Sequence, residues 1–170
     1  MAKEAGLYGE FLTICKLLNC QLGIVPVLYG SLGLTKAAKI DFSPQDIDVL
    51  VPVVFLQEKW EILKAFMEQQ DYSLIDLTEH EFQKADVKLG FSFTEDLKDF
   101  AGVDDKKLEA VVEEGAYYYQ LSPGAYLKVY RHSSRDGYRR TKNNDKDLEK
   151  LEVLKVLIGS PLRESWLKAL

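Results

Sequence analysis

Cysteine is scarce in this sequence, which has only Cys15 and Cys20 among its 170 residues. The two lie five residues apart in a segment with helical periodicity, so they fall on different faces of a helix. That spacing matches neither a C-x-x-C pair nor the ligand spacing of a zinc site. We therefore expect both to be small, buried apolar residues.

Long apolar runs are also missing. The chain starts with MAKEAGLYGEFL, which brings charges at once, and no later stretch approaches the ~18–20 apolar residues of a membrane span. The sequence therefore predicts a cytoplasmic protein without a membrane partner.

An excess of positive charge is missing as well, because the formal net charge is −5. A protein of this charge repels nucleic acid and anionic lipid, so we do not expect a nucleic-acid partner without a local basic patch. Basic residues do gather between Lys128 and Lys146, with Tyr130 and Tyr138 among them. This stretch is either a contact for a triphosphate or other polyanion, or a solvated loop whose charge is offset by acids such as Asp136 and Asp145.

The length and the hydrophobic content of 46% suit one substantial core, and we find no repeat, low-complexity tract or linker. We expect a single domain over residues 1–170. Periodicity predicts helices at 7–18, 55–70, 104–114 and 145–158, strands at 24–29, 47–54 and 72–77, and hairpins at 80–93 and 115–130. The predicted fold class is α/β (α+β), a mixed β-sheet flanked by helices.

The most informative stretch is VLYGSLGLTKAAKIDFSPQDIDVLVP, from Val27 to Pro52. Successive strand residues face opposite ways, so Asp46 and Asp48 share one face about 7 Å apart while Ile47 and Val49 face the core. Two such carboxylates suit Mg²⁺, whose shell is completed by water and substrate phosphates. Taken separately, the Gly-Ser pair at Gly30 and Ser31 also fits an ordinary turn, and Asp46 also fits a helix cap or a loop residue.

Gly30 and Ser31 supply the complementary half of such a site. Glycine lets a phosphate approach the backbone, and serine offers a hydroxyl and an N–H group. The short helix that follows points its positive end at the same place.

Taken together, Leu28-Tyr29-Gly30-Ser31 and Gln45-Asp46-Ile47-Asp48-Val49 resemble the signature of the nucleotidyltransferase superfamily related to DNA polymerase beta. The resemblance is strongest over residues 7–77, and 14 residues separate Ser31 from Asp46, at the long end for this pattern. Within the superfamily the chain looks most like the small lincosamide- and aminoglycoside-type adenylyltransferases or their relatives. That likeness implies Lys146, in NNDKDLEKLEVLKVL, as a phosphate contact.

Active members of that superfamily carry a third carboxylate on a neighbouring strand. Two alignments place it differently in this sequence. If the strand after the second long helix supplies it, the residue is Asp76. If the 80–93 hairpin supplies it, Lys88 and Gly90 occupy the alternating positions, only Asp86 is near, and the third acid is missing.

The resemblance implies Mg²⁺-dependent transfer of a nucleoside monophosphate from a nucleoside triphosphate such as ATP to a small-molecule hydroxyl. Asp46 and Asp48 would bind the metal, Asp76 would complete the catalytic set, and Gly30, Ser31 and Lys146 would bind the nucleotide. The alternative is a catalytically degenerate relative that binds nucleotide or another protein. Transfer to a protein or RNA partner, supported only by the basic stretch, ranks last. The motifs specify neither the acceptor nor an oligomeric state.

Overall fold

The computed structural model describes residues 2–95, 97 and 108–126. The chain divides into two compact units, one made of residues 1–95 and 110–120 and the other of residues 96–109 and 121–170. The single-domain organisation stays a prediction. The basic stretch, with Lys146, and the predicted 145–158 helix lie outside the described residues.

Helices alternate with strands over residues 2–76, as the periodicity predicts, and further strands follow. The helix α1 continues into a π-helical turn at Leu18–Leu22, and a 3₁₀ turn at Val53–Leu56 precedes α3. The elements in chain order are α1 (Ala2–Leu17), β1 (Val27–Tyr29), α2 (Gly30–Ala38), β2 (Ile47–Val51), α3 (Trp60–Gln69), β3 (Ser73–Asp76), β4 (Glu81–Lys84), β5 (Val87–Phe93), β6 (Glu109–Glu113) and β7 (Ala116–Gln120).

The strands form one seven-stranded sheet in the order β3-β4-β5-β2-β1-β7-β6. The β1–β2, β3–β4 and β4–β5 pairs are antiparallel, whereas β2–β5 and β1–β7 are parallel. A mixed sheet with helices is therefore confirmed. The strand β2, which carries the Asp-x-Asp motif, lies at the centre of the sheet, between β5 and β1.

One face of the sheet is covered by α1 and α3. The predicted apolar face of α1 is buried, and the α3 residues Leu63, Phe66 and Met67 join the same core. The ring of Phe11 meets that of Tyr118 on β7 edge to face, with centroids 5.0 Å apart. Burial on this scale contributes on the order of 2 kcal/mol for each large side chain, so the amphipathic helices hold the sheet together on this side.

The helical segment ends at Gly23, which takes a left-handed conformation with φ 65° and donates its N–H to the Leu18 carbonyl. Cys15 is buried and its thiol donates to the Tyr117 carbonyl over 3.0 Å, and burial raises its pKa to about 12. The expected burial of Cys20 is wrong, since this side chain is exposed. It lies in the π-helical turn, away from the helix face that Cys15 presents to the core.

Two predictions near residue 115 are wrong. The segment Glu109–Glu113 is strand β6, not the end of a 104–114 helix, and its hairpin with β7 turns at Glu114 and Gly115. Both turn residues have positive φ, 50° and 82°, as a two-residue hairpin turn of the I′ kind requires. The Ser122-Pro123-Gly124 segment makes no hairpin turn, because residues 123–126 are helical and the Ser122 hydroxyl accepts the Ala125 N–H.

None of the helices in the described part of the chain has both the length and the apolar character needed to cross a bilayer.

Candidate functional site

The two aspartates of the Asp-x-Asp motif lie on the sheet face opposite α1 and α3. Ile47, Val49 and Val51 alternate into the buried core, whereas Asp48 is exposed. Asp46 is half-buried in the bend immediately before β2. Within β2 the exposed Asp48 thus alternates with buried Ile47 and Val49, as inferred from the sequence, although Leu50, two residues after Asp48, is buried as well. Asp46, two residues before Asp48, lies just outside the strand.

Gly30 is the first residue of α2 and lies directly against the Asp48 side chain. Its φ of 63° is in the left-handed region, and a Cβ at this position would overlap Asp48 Oδ2 and lie 3.0 Å from both Cβ and Cγ of Asp48. Glycine is required for two reasons, conformation and space. The arrangement sets the Asp48 carboxylate beside the positive amino-terminal end of α2.

Ser31 follows in the first turn of α2 and is half-buried. The helix starts at Gly30, so Ser31 lies at its amino terminus, where N–H groups lack partners within the helix. The Gly-Ser pair therefore combines an anion-favouring helix end with the nearby Asp48 carboxylate.

The loop from α2 back to β2 is held by short-range hydrogen bonds. Lys39, with φ 59°, ends the helix, and the hydroxyl of buried Thr35 accepts the Phe42 N–H over 3.2 Å. Ser43, with φ 54°, donates its N–H to Asp41 Oδ1 over 2.7 Å. The 14 residues between Ser31 and Asp46 thus consist of the rest of α2 and an ordered return that leads to Asp46 at the start of β2.

Sheet register defines what surrounds Asp48. Its partners are Tyr29 on β1 and Gly90 on β5, Gly90 pairs with Glu81 on β4, and Glu81 pairs with Asp76 on β3. Paired residues on adjacent strands point to the same face. The strands β2, β5 and β4 therefore carry Asp48, Gly90 and Glu81 in one row across this face. Asp76 on β3 continues the row across an irregularity in the β3–β4 register between Leu74 and Asp76.

Asp76, the third carboxylate in one alignment of the sequence, lies three strands from Asp48, which is about 14 Å at the usual strand spacing. Its Oδ1 accepts the Glu79 N–H over 3.1 Å in the turn between β3 and β4. The structure thus does not bring Asp76 to Asp46 and Asp48. The strand next to β2 is β5, where the position level with Asp48 is Gly90 and carries no acid.

Glu81 is the acidic residue in this row that lies nearest to Asp48, and the sequence reasoning missed it. Counting outward from a two-residue turn at Ala85 and Asp86 would have paired Glu81 with Gly90, as observed. The sequence identified this hairpin but not its register. Register was the signal needed, because it decides which side chains share a face.

Lys88 is exposed on the same face of β5. The register pairs Ile47 with Leu89, so Asp46, one residue earlier, lies level with Lys88. A lysine beside the first aspartate places a positive charge where phosphate groups of a bound triphosphate would accumulate. The predicted contact Lys146 lies outside the described residues.

His80 is not part of this site. Its ring packs edge to face on Trp60, with centroids 5.0 Å apart, and burial lowers its pKa more than the nearby Glu79 raises it. Across residues 2–95, 97 and 108–126, no three His, Cys, Asp or Glu side chains are grouped so that they could hold a metal ion. Any metal here would rest on the two aspartates and on ligands from the substrate.

Comparison with known sequences identifies a relative. No protein-family model matches the chain. The chain is 53% identical over 152 residues to "Uncharacterized protein YnaI" of Bacillus subtilis (strain 168), a match that covers 89% of this chain and 97% of that protein. The chain belongs to the YnaI family.

Comparison with solved structures identifies the fold of this YnaI-family chain. It resembles an antigenic nucleotidyltransferase-like protein from Paracoccidioides brasiliensis with a TM-score of 0.56 and 12% identity, over 89% of this chain and 77% of the other. The fold is therefore nucleotidyltransferase-like, as the Gly-Ser and Asp-x-Asp elements implied. The similarity to lincosamide- and aminoglycoside-type enzymes stays a prediction.

Proposed function

We propose that this YnaI-family protein transfers a nucleoside monophosphate from a nucleoside triphosphate to a small-molecule hydroxyl in a Mg²⁺-dependent reaction. The observation that carries the proposal is the placement of Asp48 against Gly30, at the amino-terminal end of α2, with Asp46 on the same face. An ordinary core strand needs neither a carboxylate packed against a glycine nor a second carboxylate beside it. The nucleotidyltransferase-like fold supports the same class of reaction.

The residues present suit Mg²⁺. This ion prefers hard oxygen ligands, keeps several waters and is commonly bound by one or two carboxylates together with substrate phosphates. Asp46 and Asp48 provide that pair on an accessible face, and no third protein ligand is needed. When bound, Mg²⁺ would offset the negative charge of the triphosphate.

The rest of the site suits the triphosphate. The N–H groups at the start of α2 and the Ser31 hydroxyl provide hydrogen-bond donors, and Lys88 provides positive charge beside Asp46. In the transfer, the acceptor oxygen bonds to the α-phosphorus. The bond from that phosphorus to the bridging oxygen breaks, and pyrophosphate leaves with the electron pair.

The proposal includes a preference for ATP and, following the sequence resemblance, an acceptor of the lincosamide or aminoglycoside kind. Lys146 would add a further phosphate contact. An acidic protein with a net charge of −5 suits a small and often cationic acceptor better than a nucleic acid.

Calorimetric titration of ATP and GTP, with and without Mg²⁺, tests the site. We expect Mg²⁺-dependent binding by the wild type and its loss in the Asp46→Asn, Asp48→Asn double variant, because the metal ligands are gone. Asp71→Asn, an exposed position with φ 67° that asparagine also tolerates, is the matched control and should bind normally. Absence of binding by the wild type would contradict the proposal.

The second candidate is a degenerate relative that binds nucleotide, or another protein, without turnover. Gly90 favours it, because the strand next to β2 carries no acid level with Asp48. Release of pyrophosphate from Mg·ATP, measured with water, a lincosamide or an aminoglycoside as acceptor, separates the two. Binding without release selects the degenerate protein.

A further inference from the structure

Glu81 occupies a particular place relative to the Asp-x-Asp motif. It is half-buried on β4, two strands from Asp48, on the same face and in the same row. The residue between them is Gly90, so no side chain of β5 separates the two carboxylates.

The β4–β5 pair is close at this point. The Phe91 N–H donates to the His80 carbonyl over 3.1 Å. That bond joins the residue after Gly90 to the residue before Glu81, which makes Gly90 and Glu81 a non-hydrogen-bonded antiparallel pair, the kind with Cα atoms about 4.5 Å apart. With a further strand spacing of about 4.8 Å to Asp48, the Cα atoms of Glu81 and Asp48 are about 9 Å apart.

The space above Gly90 opens toward Asp48. For a Cβ built on Gly90, Asp48 Oδ1 at 3.7 Å is the contact found within 4 Å among the described residues, its chain neighbours excepted. Glutamate is one methylene longer than aspartate. The Glu81 carboxylate can therefore extend over Gly90 toward the reacting groups that Asp46 and Asp48 would hold.

We propose that Glu81 is the catalytic base, and that its side chain extends past Gly90 in place of an acid on β5. This inference rests on the proposed nucleotidyl transfer. The acceptor hydroxyl gives its proton to a Glu81 carboxylate oxygen while its oxygen bonds to the α-phosphorus. Pyrophosphate leaves with the electrons of the broken bond, and Glu81 then returns the proton to solvent.

Two other ionisable side chains on this face, Asp76 on β3 and Lys88 on β5, suit the role of base less well. Asp76 is one strand farther away and its Oδ1 accepts a backbone N–H. Lys88 carries a positive charge beside Asp46, which suits a phosphate contact rather than a base. Glu81 combines a carboxylate, a half-buried position with access to solvent, and a route to Asp48 that crosses a glycine on β5.

Glu81→Gln is the first variant to measure, because glutamine keeps the size of the side chain and cannot take the proton. We expect affinity for Mg·ATP within about two-fold of wild type and release of pyrophosphate slowed by about 10²–10⁴-fold, the usual contribution of a general base. Glu58→Gln, an exposed position before α3, is the control and should leave both quantities unchanged.

Gly90→Asp in the Glu81→Gln background provides the rescue. A Cβ at Gly90 would meet Asp48 Oδ1 at 3.7 Å, an ordinary van der Waals distance, so the backbone has room for a side chain here, and aspartate would place its carboxylate level with Asp48. We expect it to restore release by at least about ten-fold, which a merely structural role of Glu81 would not allow.

Each failure has a separate reading. If Glu81→Gln releases pyrophosphate at the wild-type rate, Glu81 is not the base and the proposed transfer stands. If Glu81→Gln is slow and Gly90→Asp restores nothing, the role across Gly90 is wrong. If the wild type binds Mg·ATP and releases nothing, the transfer reaction itself is overturned, and with it the role of Glu81.

Discussion

At the scale of single residues, two glycines of the amino-terminal half have opposite requirements. Gly30 has φ 63° and lies against the Asp48 carboxylate, whereas Gly6 lies exposed within α1 with no atom within 4 Å of an added Cβ. Gly30 cannot be replaced without displacing the Asp48 side chain. The second is a helix position at which a glycine only adds freedom to the unfolded chain.

Gly30→Ala should lower the free energy of unfolding by at least about 1–2 kcal/mol, because alanine is strained at this φ and its Cβ displaces Asp48. Gly6→Ala should raise it by about 0.5–1 kcal/mol, the helix preference for alanine over glycine. Urea unfolding of the two variants and the wild type measures both changes. Equal effects at the two positions would contradict the assigned role of Gly30.

The residues of the candidate site differ in how far the sequence could predict them. Asp46 and Asp48 followed from alternation along one strand, which is local. Glu81 did not follow, since its relation to Asp48 depends on the pairing of three strands. Asp76 shows the same difficulty, because the sequence offered it as the third acid on the strand after the second long helix, and that strand, β3, lies three strands from β2.

At the scale of elements, α1 contacts the β3–β4 side of the sheet through three polar side chains, Glu10, the buried Tyr72 and Lys84. The Tyr72 hydroxyl donates to Glu10 Oε1 over 2.7 Å, and Lys84 Nζ pairs with the same oxygen over 2.6 Å. Burial raises the pKa of Glu10, but the Lys84 and Tyr72 interactions outweigh it, so the pKa lies below its usual value. Burial and the bond to Glu10 both raise the pKa of Tyr72.

The sign of the resulting pH dependence follows from the lowered pKa. Glu10 stabilises the fold above the pKa of an unfolded glutamate, about 4.3, and that contribution is lost as the pH falls through the folded pKa. Glu10→Gln should therefore cost about 1 kcal/mol at pH 7, and the difference from wild type should shrink toward zero near pH 3.

Denaturant unfolding between pH 3 and pH 7 measures this difference. Glu68→Gln is a suitable control, because this exposed α3 side chain has no hydrogen bond or ion pair to the described residues. A Glu10→Gln cost that stays constant over the whole range would show that the ion pair does not carry the effect.

Local pattern predicted α1, α3 and the first hairpin well, and failed where tertiary pairing overrides propensity. Glu109–Glu113 reads EAVVE, with good helix formers at both ends, yet it forms β6 because β7 offers it a partner strand. The turn at Glu114 and Gly115 was equally hidden. Glycine, asparagine and aspartate are the residues that indicate positive φ, and Glu114 is none of these.

At the scale of the whole molecule, the two compact units are interleaved in sequence. The chain runs through the first unit, enters the second at residue 96, returns for residues 110–120 and ends in the second. Because each unit is made of two separate segments of the chain, we expect the two units to unfold together in one cooperative transition.

The two tryptophans allow a direct measurement, because Trp60 belongs to the first unit and Trp166 to the second. In urea, the fluorescence of Trp166→Phe reports on Trp60, and that of Trp60→Phe reports on Trp166. For each variant, we expect the urea midpoint measured by fluorescence to coincide with the midpoint measured by circular dichroism. Two separated transitions would contradict the single-domain prediction.

The parallel pairing of β1 with β7 also has a consequence in time. Val27 pairs with Tyr119, so the strand beside the Asp-x-Asp motif is bordered on one side by a segment that leaves the ribosome much later. Until then β1 is an open edge, able to pair with strands of other chains. During synthesis the nascent chain therefore passes through a period in which it is exposed to misassembly, and we expect slow translation between β2 and β7 to lower the yield of folded protein.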